Sequence, residues 1–423
     1  MKRLTIHNAI IGLFILLVAS RLTVIVDGIR LLGVALFELF FFSKVVIAKL
    51  DSETLDLFIS IILILITPIL YFLIYRKLKL FKVKLRLSYF VFLLLLFAFL
   101  FAPIITDFHP NAQPNINGGR FLPPFSSMYA VNLKVKAGNS FDKIKNEVVK
   151  YPVIKNTIYA NTVKMKGDYI IYKQGKEEKK IKKSAAKLID GKPVIIKKYF
   201  LFGTDELSRD VFSRIIFGGR ISLFIAVLTV AISLSLGLLL GFLASFFGGV
   251  LNLLLSRFTD MFLTIPSIFF VIMVLALWGN SILGVIVVLA LTGWMGFFKV
   301  VKVEVASIVQ KDYFITSKKI GMSLGKLLAK EILPVILSQI IVASVLQFSN
   351  VILAEASLSY LGLGVGINYP SWGNMILSGQ QYMVNDVWLI IIPSIVLVLS
   401  ILAINDFGEK LKEELSPWIA RDK

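Results

Sequence analysis

Cysteine is missing from this chain of 423 residues, and histidine occurs only as His7 and His109. The first absence excludes disulfides, a catalytic thiol and cysteine metal sites. The second excludes a histidine-rich metal cluster. Charge is scarce too: 17% of residues, against about 25% in ordinary soluble domains. Hydrophobic residues take up the difference, at 57%, and mean hydropathy is +0.83. That surplus is too large for one soluble core, so a multi-spanning membrane protein is expected. Acids are outnumbered, 26 against 46 bases, for a net charge of +20. No zinc-finger spacing or aromatic RNA-binding motif accompanies the basic excess, so nucleic acid is not an expected partner. Most basic residues outside one segment flank apolar runs.

A membrane helix needs about 20 apolar residues. Charge-free runs cover Leu57–Tyr75, Leu87–Thr106, Ile221–Ser256, Met261–Phe298, Ile332–Ala354 and Val387–Asn405. The run from Met261 is long enough for two helices with a turn at Trp278-Gly279-Asn280-Ser281. The run from Ile221 reads as one helix of about 24 residues, a break at Gly248-Gly249 and a short segment. Apolar stretches near 8–26 and 31–48 are interrupted by Arg21, Asp27, Arg30, Glu38 and Lys44. If both cross the bilayer there are nine spans; if one does there are eight, an option that Lys2, Arg3, Arg21 and Arg30 favour. A cleaved leader is not expected, because no small-residue cleavage site precedes the second stretch.

Topology follows from lysine and arginine near span ends, which mark the cytoplasmic side. Residues 76–86 carry six bases and no acid, which places them in the cytoplasm. Residues 106–220 then lie outside, 299–331 with seven lysines lie inside, and the C-terminus is inside. The segment 131–200 holds 18 lysines, no arginine and six acids, so it alone carries +12. It falls outside, which the rule tolerates because long loops translocate largely regardless of charge. Tyr169–Ile181 reads as a hairpin turning at Gln174-Gly175, and Asn139–Val149 as a short helix with Ser140 as candidate cap. A small α+β domain is expected. It is either a solvated decoration or a docking surface for an extracytoplasmic partner or an anionic membrane surface.

The cytoplasmic stretch 312–334 is amphipathic, with Phe314, Ile315, Leu324, Leu327 and Leu328 set among lysines. Gly321 and Gly325 interrupt it, and glycine costs about 1 kcal/mol in a helix. Two short helices bent near Gly321 are therefore expected. Pro334 then starts the next span, where proline is tolerated. The plainer alternative is a helix lying on the bilayer surface, which makes membrane lipid its partner.

This stretch resembles the coupling loop of ABC importer permeases of the oligopeptide/dipeptide/nickel family, in the C-type transmembrane subunit. Asp312-Tyr313-Phe314, Ile320-Gly321-Met322-Ser323 and Ile332-Leu333-Pro334 match that loop in order and spacing. Ile315, Thr316 and Ser317 depart from the family's Glu-Ala-Ala, and Glu331 stands where histidine is frequent. Further landmarks follow in order. Phe202–Leu223 resembles the signature ahead of the second family helix, with Ser208 in place of the usual glycine. Arg257–Pro266, Leu358–Val365, Pro370–Met375, Asn405–Leu411 and Leu415–Pro417 resemble later segments. The resemblance covers about 87–106 and 201–418; residues 1–86 and 131–200 fall outside it.

The resemblance implies an all-α polytopic membrane protein with a six-helix permease core. Its helices are expected at 87–105, 221–244, 261–278, 280–298, 333–353 and 387–407. To this core are added N-terminal helices (1–86), an outer loop (87–130 with the first core helix) and the 131–200 insert; the rest of the core is 201–423. The coupling helix at 312–330 docks into a cytosolic ATPase subunit, through Asp312, Tyr313, Phe314, Lys318, Lys319, Gly321, Ser323, Leu324 and Pro334. The partners implied are a homologous permease subunit, two ATPase subunits and an extracytoplasmic solute-binding protein. No ATP-binding loop is present: Gly321-Met-Ser-Leu-Gly-Lys-Leu327 has three residues between its glycines and Leu where Ser or Thr is needed. The chain is thus expected to be a transport subunit with no cofactor or metal of its own, and ATP hydrolysed elsewhere.

Gly237, Gly241, Ser245 and Gly249 recur every four residues, a stripe that lets another helix approach closely, within the chain or in a partner subunit. The outer-face signature is Gly203, Thr204, Asp205, Arg209, Asp210, Arg214 and Arg220. Its charges suit local salt bridges, or contact with a binding protein. Residues 361–374 are expected as an irregular outer loop. Asp260 reads as a helix start and Glu355 as an interfacial residue just past a span end. Two other classes stay open. An ion-coupled transporter requires charges at mid-membrane and an internal repeat; a membrane-anchored sensor requires only the insert.

Overall fold

A computed structural model describes residues 5–49, 51–75, 86–134, 140–366 and 369–415. The basic loop at 76–85, the terminal Lys2 and Arg3, and Ser416-Pro417 lie outside the described residues. The chain divides into two compact units. The first takes Met1–Leu85, Leu93–Arg220 and Ser378–Val396, the second Arg86–Phe92, Ile221–Leu377 and Leu397–Lys423.

In the first unit, α1 (Ile6–Ser20) and α2 (Leu22–Lys49) meet at a 75° bend at Arg21. The Arg21 guanidinium donates to the Ile105 carbonyl at 2.6 Å and pairs with Asp107. This charge, held by partners, breaks the helix rather than the apolar run. α3 (Ser52–Tyr75) follows, then α4 (Leu87–Ile105), which belongs to this unit from Leu93 onward. α4 kinks at Phe101, two residues before Pro103, as expected where proline removes a backbone donor.

The insert folds as an α+β body. β1 (Ser126–Asn132) is followed by α5 (Ser140–Val148), α6 (Lys150–Lys155), β2 (Thr157–Ala160), β3 (Thr162–Lys166), β4 (Tyr169–Gln174) and β5 (Glu177–Lys182). A two-residue ladder, β6 (Leu188–Ile189) with β7 (Lys192–Pro193), precedes β8 (Ile195–Phe200). Two antiparallel sheets result, ordered β2-β1-β8 and β3-β4-β5. The expected hairpin forms, with Gly175 at φ +63° in its turn, a region glycine enters without cost. Phe141, Ile144 and Val149 share one buried cluster with Leu31, Ala35, Leu57 and Ile61. The N-terminal helices therefore supply the apolar bed on which the helical part of the insert rests.

From Ile221 in α7 (Val211–Phe247) the second unit continues through α8 (Gly249–Leu263), α9 (Ser267–Trp278), α10 (Ile282–Val309), α11 (Asp312–Lys319), α12 (Leu324–Lys326), α13 (Leu333–Tyr360) and most of α14 (Trp372–Gln380), and it takes up α15 (Trp388–Leu415) again from Leu397. Among the described residues, six helices are long and apolar enough to cross a membrane, the last four starting at Val211, Ile282, Leu324 and Trp388. The bent pairs α1–α2 and α8–α9 bring the number to eight if each is one span.

Three expectations need correction. The helix expected at 221–244 starts ten residues earlier, at Val211, because Arg214 and Arg220 are paired and do not end it. The span expected at 261–278 is two helices bent by 81° across Thr264-Ile265-Pro266. Asp260 therefore sits in the last turn of α8, beside Lys299 at 3.2 Å, and not at a helix start. Finally, α13 runs to Tyr360, which carries Glu355 inside the helix.

Candidate functional site

The loop between α10 and α13 is built as its glycine pattern suggests. α11 ends at Lys319, and Gly321 follows at φ +81°. The Gly321 N–H donates to the Lys318 carbonyl at 3.1 Å and the Met322 N–H to the Ser317 carbonyl at 3.2 Å. This pair of bonds is the Schellman termination, whose left-handed residue is usually glycine. The chain restarts as α12, with the Ser323 carbonyl accepting from the Leu327 N–H at 3.0 Å. It passes through a π-turn (Leu327–Ile332) into α13, which carries Pro334 in its first turn. Such π-turns recur at functional sites.

One residue fixes this loop to the bundle. Phe314 is fully buried among Phe242, Val301, Val305, Ile308, Leu327, Ile332 and Ile336. Lys318 lays its ammonium 4.7 Å from the Phe246 ring centre, a cation–π contact. The other face has no covering within the described chain. Tyr313 (45% exposed), Ile320 (75%) and Leu324 (45%) stand open, with Asp312, Lys319 and Ser323 exposed around them. An exposed apolar cluster rimmed by polar residues marks an interaction surface.

The outer-face signature is a buried knot at the start of α7. Thr204 donates to the Gly119 carbonyl at 2.5 Å and accepts from the Leu122 N–H at 2.9 Å. Gly203 has φ +74°, and a Cβ there would strike the Leu122 carbonyl. Asp205 accepts from the Leu207 and Arg209 N–H groups at 3.0 and 2.8 Å, and from the Arg209 Nε at 2.6 Å. Arg214 lies 3.5 Å from the same carboxylate. Asp210 caps α7, accepting from the Ser213 N–H and hydroxyl at 2.8 and 2.5 Å. Burial pushes the Asp210 carboxyl up to about 6, against those hydrogen bonds. Arg220 pairs with Asp56 at 2.5 Å. Asp205, Arg209, Asp210 and Arg214 are all buried, so the structure brings the signature together as a fastening rather than an open contact surface.

Ser208 sits in this knot at φ +63°, and its buried hydroxyl finds no hydrogen-bond partner among the described residues. The backbone thus asks for glycine at this position. Ser208→Gly is expected to stabilise the protein by about 1 kcal/mol, through relief of left-handed strain and of an unpaired hydroxyl. Thermal unfolding in detergent measures it.

The small-residue stripe packs within the chain. A Cβ at Gly237 would meet Phe297 and Phe298, and one at Gly241 would meet Val301 at 2.9 Å. Ser245 donates to the Lys302 carbonyl at 2.6 Å. Gly237, Gly241 and Ser245 thus let α10 lie close to α7. Gly249 leaves the stripe: it begins α8 after a break at Gly248, with φ +51°. The break expected at Gly248-Gly249 is therefore present, and it ends the stripe at Ser245.

Sequence reasoning missed a polar hub. Glu355 is fully buried in α13 and accepts from the Ser222 hydroxyl at 2.7 Å and the Ser359 hydroxyl at 2.8 Å. Ser371 donates to Ser359 at 3.2 Å. The interfacial placement expected for Glu355 is overturned: hydroxyl donors satisfy the carboxylate, so the helix runs past it. Ser359 at i+4 was the available signal, since that spacing shares a helix face. Glu355→Leu is expected to destabilise by about 1–3 kcal/mol, because it leaves buried hydroxyls without an acceptor. Glu355→Gln, which keeps an acceptor, is expected to cost less in the same unfolding measurement.

Comparison with known proteins joins these features. Residues 212–411 match the family model described as the inner membrane component of binding-protein-dependent transport systems. The dipeptide transport system permease protein DppC of Alkalihalophilus pseudofirmus is 33% identical over 51% of this chain and 71% of its own length. The di/tripeptide permease protein DppC of Pseudomonas aeruginosa is 35% identical, over 52% and 72%. The oligopeptide permease protein OppC of Bacillus subtilis is 32% identical, again over 52% and 72%. An inward-facing structure of the MetNI methionine ABC transporter aligns with 48% of the chain at 16% identity and a TM-score of 0.42. The chain belongs to the family of binding-protein-dependent ABC importer permeases, as a multi-pass inner membrane component.

Proposed function

We propose that this chain carries short peptides or a related small solute across the membrane, powered by ATPase subunits that grip the loop at 312–330. The observation that carries this reading is the loop's two-sided build. Phe314 is locked into the bundle core, while Tyr313, Ile320 and Leu324 are exposed. A force applied to the outer side is transmitted through Phe314 and the π-turn to α13. ATP is bound and hydrolysed by the partners, two per transporter, and this chain supplies no nucleotide site. It pairs with a homologous permease and receives solute from an extracytoplasmic binding protein. The C-terminus and the loop face the cytoplasm, with the insert on the other side. The relatives named for dipeptides and oligopeptides support this solute class.

Affinity purification of the tagged chain from its native membrane tests this. Co-isolation of a cytosolic ATPase together with a second permease is the expected result. Purification of the chain alone, active in uptake driven by an ion gradient, would overturn it.

A further inference from the structure

The insert carries a built surface that neither the family match nor the coupling loop uses. In the β3-β4-β5 sheet, the registers place Lys164, Ile171 and Lys180 in one cross-strand row, and Lys166, Tyr169 and Lys182 in the next. Alternate residues of a strand share a face, so both rows, with Lys173, belong to one side. The opposite side holds Val163, Ile170 and Ile181 against Val131 and Ala186. All five lysines are exposed, and Lys180 lies 5.6 Å from the Tyr169 ring centre. Glu178, paired across from Lys173, is the one acid on this side of the three strands.

We infer that this face is a docking surface for an acidic patch on the solute-binding protein. The inference rests on the reading above, which puts the insert outside and gives the transporter such a partner. Charge narrows the occupant first. A face of five lysines and one acid repels a second copy of itself and attracts an acidic surface. The centre narrows it further. The middle strand offers Tyr169 and Ile171, with lysines confined to the flanking strands at their level. An apolar centre with a charged rim is the anatomy of a protein–protein interface, in which an aromatic residue provides the anchor. A bare anionic polymer gains nothing from that apolar row, and lipid is an outcome of the test below. Strand spacing of about 4.8 Å and alternate-residue spacing of about 6.8 Å set lysine on both sides of the apolar row.

The test uses the assembled transporter in neutral phosphatidylcholine nanodiscs, titrated with the binding protein at rising salt. The joint variant Lys164→Glu, Lys166→Glu, Lys180→Glu and Lys182→Glu is expected to slow association about tenfold or more and to flatten its salt dependence. The same four positions changed to Gln, which drop the charge without adding acids, are expected to fall between. Tyr169→Ala is expected to weaken affinity while leaving the salt dependence unchanged. Equal association rates and salt slopes for all variants would overturn this inference alone. So would a variant that loses only its binding to phosphatidylglycerol vesicles, which assigns the face to lipid. Failure of the wild-type assembly to bind any binding protein would overturn the reading it rests on as well.

Discussion

Asp205→Ala is expected to destabilise the protein by about 3–5 kcal/mol, the cost of leaving buried charge without its partner. Two guanidiniums depend on this carboxylate: Arg209 at 2.6 Å and Arg214 at 3.5 Å. Arg209 retains Glu206 at 2.7 Å; among the described residues Arg214 retains weak carbonyl acceptors at 3.4 Å, from Pro110 and the Asn111 side chain. Two backbone N–H groups lose their acceptor as well. The control is Asp260→Asn. That residue pairs with Lys299 on the surface, each side chain 54% exposed, and pairs of that kind contribute about 0–1 kcal/mol. Unfolding temperatures of the two variants in the same detergent compare them. A loss for Asp205→Ala no larger than for Asp260→Asn would mean that the knot does not hold the start of α7.

The second large effect is functional. Gly321→Val is expected to leave membrane insertion intact and to abolish most coupled uptake while the partner ATPases still turn over. The cause is backbone geometry, not crowding. A Cβ at Gly321 meets nothing within 4 Å, yet φ is +81°. The left-handed conformation costs an L-residue roughly 1–2 kcal/mol, and more for a β-branched one. The cheapest relief is to abandon the Schellman turn, which changes the angle between α11 and α12. The exposed residues Tyr313 and Leu324 then no longer stand in the geometry a partner grips. Gly325→Ala is the matched control. Gly325 does not have positive φ, has open space around it, and alanine is a better helix former by about 1 kcal/mol. Uptake and ATP hydrolysis measured together in proteoliposomes separate the cases; undiminished uptake by Gly321→Val would contradict the mechanism.

Much of this was legible in the residue order. Glycine and proline mark the breaks at Gly248, Gly279 and Gly321 correctly, because positive φ leaves few alternatives. The lysine-rich hairpin turning at Gly175 was equally plain. Charge misled where it was satisfied by distant residues. Arg220 bounds an apolar run on paper, but Asp56 pairs with it and α7 begins nine residues before it. Glu355 looks like a span boundary, but Ser222, far away in sequence, supplies a donor. Arg21 leaves an apolar stretch apolar enough to read straight through, yet its bonds to Ile105 and Asp107 fix a 75° bend. These are non-local pairings, which no window of neighbouring residues reveals. The bed that α2 and α3 provide for α5 is invisible for the same reason.

The most direct measurement exploits the absence of cysteine. Ile320→Cys places a single thiol at the exposed tip of the loop, in a chain with no other. In membrane vesicles containing the assembled transporter, a short bifunctional reagent is expected to link this position to the ATPase subunit. A thiol at the buried Phe314 position is expected to give no such link. Labelling of the Ile320→Cys thiol by an impermeant maleimide from outside intact cells, or no crosslink to any ATPase, would contradict the account.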